Sequence, residues 1–203
     1  MEIILKNVGK KFVYDWVFRK IDFKLNNNEI YAIIGPNGSG KSTFLQVLSG
    51  MQPSTEGEII YKEKDKIITS DKIFKYVTIA APYLELIEEM TLTELLNFHL
   101  QFKNFSSNIS VSDFIDIIRL PKAKNKTINF FSSGMKQRLK LGLALYSDCP
   151  FLILDEPSSN LDKEGFEWYK EEIIKNSFNR LVLIASNQAQ EYDFLTENII
   201  KIK

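Results

Sequence analysis

The chain has 203 residues, 44% of them apolar and 26% charged, which is the composition of one folded domain with room for a sizeable core and not of a disordered polymer. Its 26 basic and 26 acidic side chains cancel, so no excess positive charge is available to grip nucleic-acid phosphates, and no nucleic-acid partner is expected. A single cysteine, Cys149, excludes an internal disulfide, and no run reaches the roughly 18–20 consecutive apolar residues of a membrane span.

The first residues lack a long apolar run followed by small residues, so no leader is expected and the chain is placed in the cytosol, reaching a membrane only through a partner. Short apolar runs at Ile3 to Lys6, Ile21 to Leu25 and Ile30 to Ile34 predict strands, the last two separated by the turn-forming Asn26-Asn27-Asn28. Lys41 to Leu48 predicts a helix that stops at Ser49-Gly50. Glu58 to Tyr61, Lys66 to Ile68 and Tyr76 to Ile79 predict further strands.

From Thr91 the period becomes helical. Leu92, Leu95, Leu96 and Leu100 share a face, and Thr91 or Thr93 can cap the start. Val111 to Ile118 and Met135 to Leu145 predict two more helices. Phe151 to Leu154 is a continuous apolar run ending in Asp155, as expected of a strand buried on both faces. Lys163 to Asn176 then predicts a helix, and Leu181 to Ala185 and Asn198 to Ile202 predict strands. Strands alternating with helices imply a parallel sheet, with residues 82 to 146 as an all-helical insert.

Between the third strand and the first helix lies Gly35-Pro36-Asn37-Gly38-Ser39-Gly40-Lys41-Ser42, a complete G-x-x-x-x-G-K-S, followed by Thr43. Glycines let consecutive backbone N–H groups turn inward, and the helix dipole adds positive potential, which makes an anion nest. Lys41 is then expected to reach the β- and γ-phosphates of ATP, and the Ser42 hydroxyl to ligate Mg²⁺. A second motif, Phe151-Leu152-Ile153-Leu154-Asp155-Glu156-Pro157, ends a buried strand in two acids. Asp155 suits a metal opposite Ser42, and Glu156 suits a base or polarising group for water at the γ-phosphate.

These motifs, in this order around a helical insert, resemble the ATP-binding cassette (ABC) family over essentially the whole chain. The resemblance implies an α/β P-loop NTPase with a mainly parallel core sheet, an N-terminal antiparallel β subdomain and an all-helical insert. It divides the single domain into a core lobe of about 1–81 and 147–203 and a helical subdomain of about 82–146. It aligns Phe131-Ser132-Ser133-Gly134-Met135 with the family signature Leu-Ser-Gly-Gly-Gln, keeping Ser132 and Gly134 and departing at Ser133 and Met135. A helix start at Ser132, Ser133 and Gly134 would face the γ-phosphate held by a second subunit.

Ser158 to Asp162 resembles the loop that crosses the family's dimer interface; it can also cap the next helix, and both roles are compatible. Phe12 resembles the aromatic that stacks on adenine, with Tyr14 as second choice. Two departures bear on mechanism. The family's glutamine after the sixth strand is replaced by Ala81, which cannot coordinate a metal, and its switch histidine by Asn187, which can donate a hydrogen bond but cannot carry a proton. The sole histidine, His99, is expected on a helix surface, and Asn28-Glu29 stands where the family prefers Gly-Glu.

The expectation is therefore an ATPase using ATP and Mg²⁺, with Glu156, Lys41 and Asn187 in catalytic roles and turnover weakened by the two replacements. It would act as a head-to-tail dimer, a homodimer in preference to a heterodimer. It would drive a membrane-spanning permease docked near Pro82, Tyr83, Leu84, Leu86 and Ile87, and so lie peripherally on the cytoplasmic face. The alternative is an ATP-gated clamp, or one half of an asymmetric heterodimer, with little turnover of its own. The chromosome-maintenance branch is disfavoured because only about 90 residues separate Lys41 from Ser132, too few for its long coiled coil.

Overall fold

A computed structural model describes residues 1–64, 66–106 and 109–202. Chain contacts divide them into two compact units, the first formed by Met1–Ile79, Cys149–Glu156 and Ser177–Lys203, the second by Ala80–Asp148 and Pro157–Asn176.

In the first unit, β1 (Glu2–Phe12), β2 (Asp15–Leu25), β4 (Glu56–Glu63) and β5 (Lys66–Ile68) form an antiparallel sheet in the order β2-β1-β4-β5. A second, five-stranded sheet runs β6-β7-β8-β3-β9, from β6 (Val77–Ala80), β7 (Phe151–Asp155), β8 (Leu181–Ala185), β3 (Ile30–Ile34) and β9 (Ile199–Lys201). The pairs β3–β8, β3–β9 and β7–β8 are parallel. Every residue of β7 and β8 is buried, which explains why these strands are unbroken apolar runs instead of alternating ones.

Helix α1 (Lys41–Leu48) packs on β7 and β8 through Phe44, Leu45, Val47 and Leu48. The core joins these side chains to Ile3, Leu5, Leu25, Ile33, Phe151, Ile153 and Leu183. Asn28 takes the left-handed conformation (φ 61°) at the turn into β3, as its short polar side chain allows. Cys149 is a buried thiol whose Sγ lies 3.8 Å from the Lys75 carbonyl.

The second unit holds α2 (Leu92–His99), α3 (Val111–Ile117), α4 (Ser133–Tyr146) and α5 (Lys163–Asn176). Thr91, not Thr93, caps α2 in a capping box with Glu94, and Ser110 does the same for α3 with Asp113. His99 stacks on Phe105 (5.8 Å) and Phe105 on Phe114 (4.6 Å), which meets Tyr146 edge to face (6.2 Å). Helix α5 groups with this unit because α4 packs on it. The Tyr146 hydroxyl donates to buried Glu172, and Trp168 Nε1 donates to the Ile117 carbonyl at 2.9 Å. The expected helical insert thus lies inside a unit that also takes in Pro157–Asn176.

His99 is not on an open helix surface. Its ring stacks on Phe105 and its Nε2 lies 2.8 Å from Ser147 Oγ. No helix of the described residues is long and apolar enough to cross a membrane.

Candidate functional site

The site begins as a consequence of register. In the parallel sheet Ile33 lies opposite Ala185, and Asp155 opposite Ala185. The carboxyl ends of β3, β7 and β8 are therefore level, and the loops leaving them gather at one sheet edge, the usual place for a ligand in such folds.

The loop leaving β3 is the glycine-rich segment 35–40. Gly38 and Gly40 adopt left-handed φ values of 80° and 95°. A methyl on Gly40 would stand 2.2 Å from Val17 Cγ1, so conformation and space both require glycine there. Phe44 N donates to the Gly40 carbonyl at 2.8 Å, which starts α1 without any side-chain cap. The first amides of α1 consequently lack side-chain partners, as an anion-binding helix start requires.

Lys41 is buried, and its ammonium donates to the carbonyls of Gly35 (2.9 Å) and Pro36 (3.2 Å). The lysine is folded back onto its own loop, within reach of whatever the loop encloses. Phe12, Val17, Asn37, Gly38, Gly40, Lys41, Ser42, Thr43 and Glu156 line one cavity of about 370 Å³. Phe12 is half exposed at 45%, with the Lys10 ammonium 4.9 Å from its ring centre, whereas Tyr14 is 85% exposed and does not line the cavity. Val17, which lies outside the strands expected from sequence and inside β2 in the structure, also lines the cavity.

Asp155 ends β7 and is 2% exposed. Burial pushes its carboxyl above the ordinary value. The hydrogen bond from Ser42 pulls it back, the neighbouring Glu156 charge raises it, Lys41 lowers it and Glu191 raises it. Its Oδ2 is buried without a hydrogen-bond partner. A carboxylate oxygen left orphaned beside a serine hydroxyl is a hard oxygen donor set, and it fits Mg²⁺, which takes one or two protein oxygens and completes its shell with water and phosphate. Glu156 follows in the left-handed region (φ 46°), its N–H donating to the Ala185 carbonyl at 2.8 Å. That turn separates the two acids, leaving Asp155 buried and sending Glu156 to the cavity wall.

From the loop after β8, Asn187 Nδ2 donates to Asn37 Oδ1 at 3.0 Å. The structure thus brings together Phe12, the 35–43 loop, Asp155, Glu156 and Asn187 in the first unit. Ser132, Ser133 and Gly134 lie in the second unit, where Ser132 caps α4 and accepts from the Met135 N–H at 3.3 Å, and Ser132 and Ser133 are exposed. In that unit Asp162 accepts from the Gly165 N–H at 2.7 Å at the start of α5, so the capping reading of the 158–162 loop holds. Ala81 is wholly buried.

A P-loop, a buried strand-end carboxylate and an adjacent acid on a parallel sheet define a P-loop nucleotide-binding cassette. A family model described as ABC transporter matches residues 18–159, more than half of the chain, and the chain belongs to the ABC transporter family.

Its relatives include the ABC transporter ATP-binding protein YcbN of Bacillus subtilis, 28% identical over 185 residues, covering 90% of this chain and 60% of the relative. YxlF of the same organism is 33% identical, covering 79% and 54%. The lantibiotic transport ATP-binding protein SrtF of Streptococcus pyogenes is 28% identical, covering 96% and 84%. The chain spans somewhat more than half the length of the two Bacillus relatives. Among solved structures, the ATP-binding cassette MJ0796, a dimer in a post-hydrolysis state with ADP and Pi, superposes with a TM-score of 0.84 at 23% identity, covering 99% and 94%. That likeness is one of fold.

Proposed function

We propose that this chain binds and hydrolyses ATP with Mg²⁺ as the energy-coupling component of an ABC transporter. The observation that carries the reading is the convergence on one cavity of Gly38, Gly40, Lys41, Ser42, Thr43 and Glu156, with the buried Asp155 next to Glu156 in the chain. The loop amides and the α1 dipole bind the phosphates, and Lys41 exchanges the Gly35 and Pro36 carbonyls for phosphate oxygens as they enter. Ser42 and Asp155 would hold Mg²⁺, which would supply positive charge against the phosphate oxygens. Glu156 orients and deprotonates water at the γ-phosphate. Asn187 donates a hydrogen bond there, and Phe12 stacks on the adenine while Thr43 extends the loop's donor set.

Ser132, Ser133 and Gly134, exposed at the start of α4, suit the phosphate bound by a second subunit in a head-to-tail dimer, a homodimer in the simplest case. A membrane-spanning permease would dock on the stretch around Tyr83 and Ile87, which are 37% and 39% exposed, and hold the chain at the cytoplasmic face. The relatives named for lantibiotic transport, spermidine/putrescine import and sulfate/thiosulfate import share this cassette, so cargo is set by the permease.

With Ala81 and Asn187 in place of the family's glutamine and histidine, turnover is slower or more dependent on the partner, and those replacements favour a second reading, an ATP-gated clamp. The test is ATPase rate against protein concentration. A steep rise that Lys41→Ala and Glu156→Gln abolish supports the enzyme. Dimerisation on ATP without turnover supports the clamp, and no Lys41-dependent nucleotide binding refutes both.

A further inference from the structure

We propose that Asn37 is a positioning residue for Asn187, holding one N–H of its amide so that the other is presented to the terminal phosphate of ATP. This deepens, and rests on, the nucleotide-site reading above. The two residues are 150 apart in sequence, yet Asn187 Nδ2 lies 3.0 Å from Asn37 Oδ1. The pairing is a product of the sheet. β3 and β8 are parallel neighbours with Ile33 opposite Ala185, so the loops leaving them run side by side.

The β8 loop is fixed on both sides of Asn187. Ser186 is fully buried, its N–H donates to the Ile33 carbonyl at 3.1 Å, and its hydroxyl accepts from the Gln188 N–H at 2.8 Å. The backbone of Asn187 is therefore held, and the freedom left is in its exposed side chain, which Asn37 takes up. A primary amide has two N–H donors. One spent on Asn37 leaves a second whose direction is then defined, and both partners are neutral, so the arrangement does not titrate. A histidine at 187 would gain a charge near pH 6.5.

The bond is exposed and modest, and losing it should change recognition of the γ-phosphate roughly three- to ten-fold. The test is calorimetry with Mg-ATP and Mg-ADP on the whole chain carrying Glu156→Gln to stop turnover. Asn37→Ala and Asn187→Ala are each expected to lower the ATP-to-ADP affinity ratio by that factor, and the double variant no further. Equal weakening of ATP and ADP by Asn37→Ala, an unchanged ratio, or effects that multiply in the double variant would overturn the pairing while leaving the nucleotide site intact. Absence of Lys41-dependent binding of either nucleotide would instead bring down the site itself, and the pairing with it.

Discussion

His99 gives the sharpest quantitative test of the second unit. The Ser147 hydroxyl donates its single proton to the Leu143 carbonyl at 2.6 Å, so the 2.8 Å contact with His99 must be donated by Nε2–H. The contact places a proton on Nε2, so charging the ring means protonating Nδ1 in a half-buried position. Burial, with Lys103 adding to it, holds its pKa down to about 4. The unfolded chain, with an ordinary histidine, binds the proton first, so this contribution to stability is intact above pH 6.5 and is lost as pH falls toward 4.

Linkage between about 6.5 and 4 makes folding about 2 kcal/mol less favourable at pH 5 than at pH 7 through this residue alone. His99→Gln can still donate to Ser147 but does not titrate, so its stability should fall by about 2 kcal/mol less over that interval, which removes the carboxylate contributions common to both proteins. Urea unfolding at the two pH values measures the difference. Because the chain has one histidine, a single imidazole resonance followed by NMR gives the pKa directly. A pKa above 6, or parallel stability profiles for the two proteins, would refute the packing described for His99.

Asp155→Asn is expected to abolish the magnesium dependence of ATP binding without lowering the metal-free melting temperature, because it removes a buried charge that nothing but Ser42 and Lys41 offsets; melting with and without the metal reads both. Phe12→Ala should weaken ATP binding by about 1 kcal/mol and Phe12→Trp should keep it, as calorimetry would report, since a stacking face is what the base uses. Gly142→Ala would place a methyl 2.4 Å from Ile118 Cγ2 and 3.0 Å from Phe114 Cζ. Chemical denaturation should find it about 1–3 kcal/mol less stable. The pH–rate profile of any ATPase activity should carry no inflexion from His99, which lies in the second unit among Phe105 and Ser147.

Much of the site was legible residue by residue. A loop that must turn its amides inward needs glycine at positions 38 and 40, and the structure places both at positive φ. The apolar run before Asp155, with no polar alternation, predicts a strand that ends in it, and Asp155 does lie buried at the end of β7. These are local requirements, and local requirements are written in local sequence.

The period of the apolar residues likewise set the element types, from the continuous strands β7 and β8 to the capped helix α2. What the sequence could not contain was distance. That Asn187 bonds Asn37, that His99 is walled in by Phe105 and Ser147, and that α5 groups with the helical segment all depend on which strands are neighbours and which helices pack. Those choices are made by burial summed over the whole chain, a quantity no single stretch of residues carries.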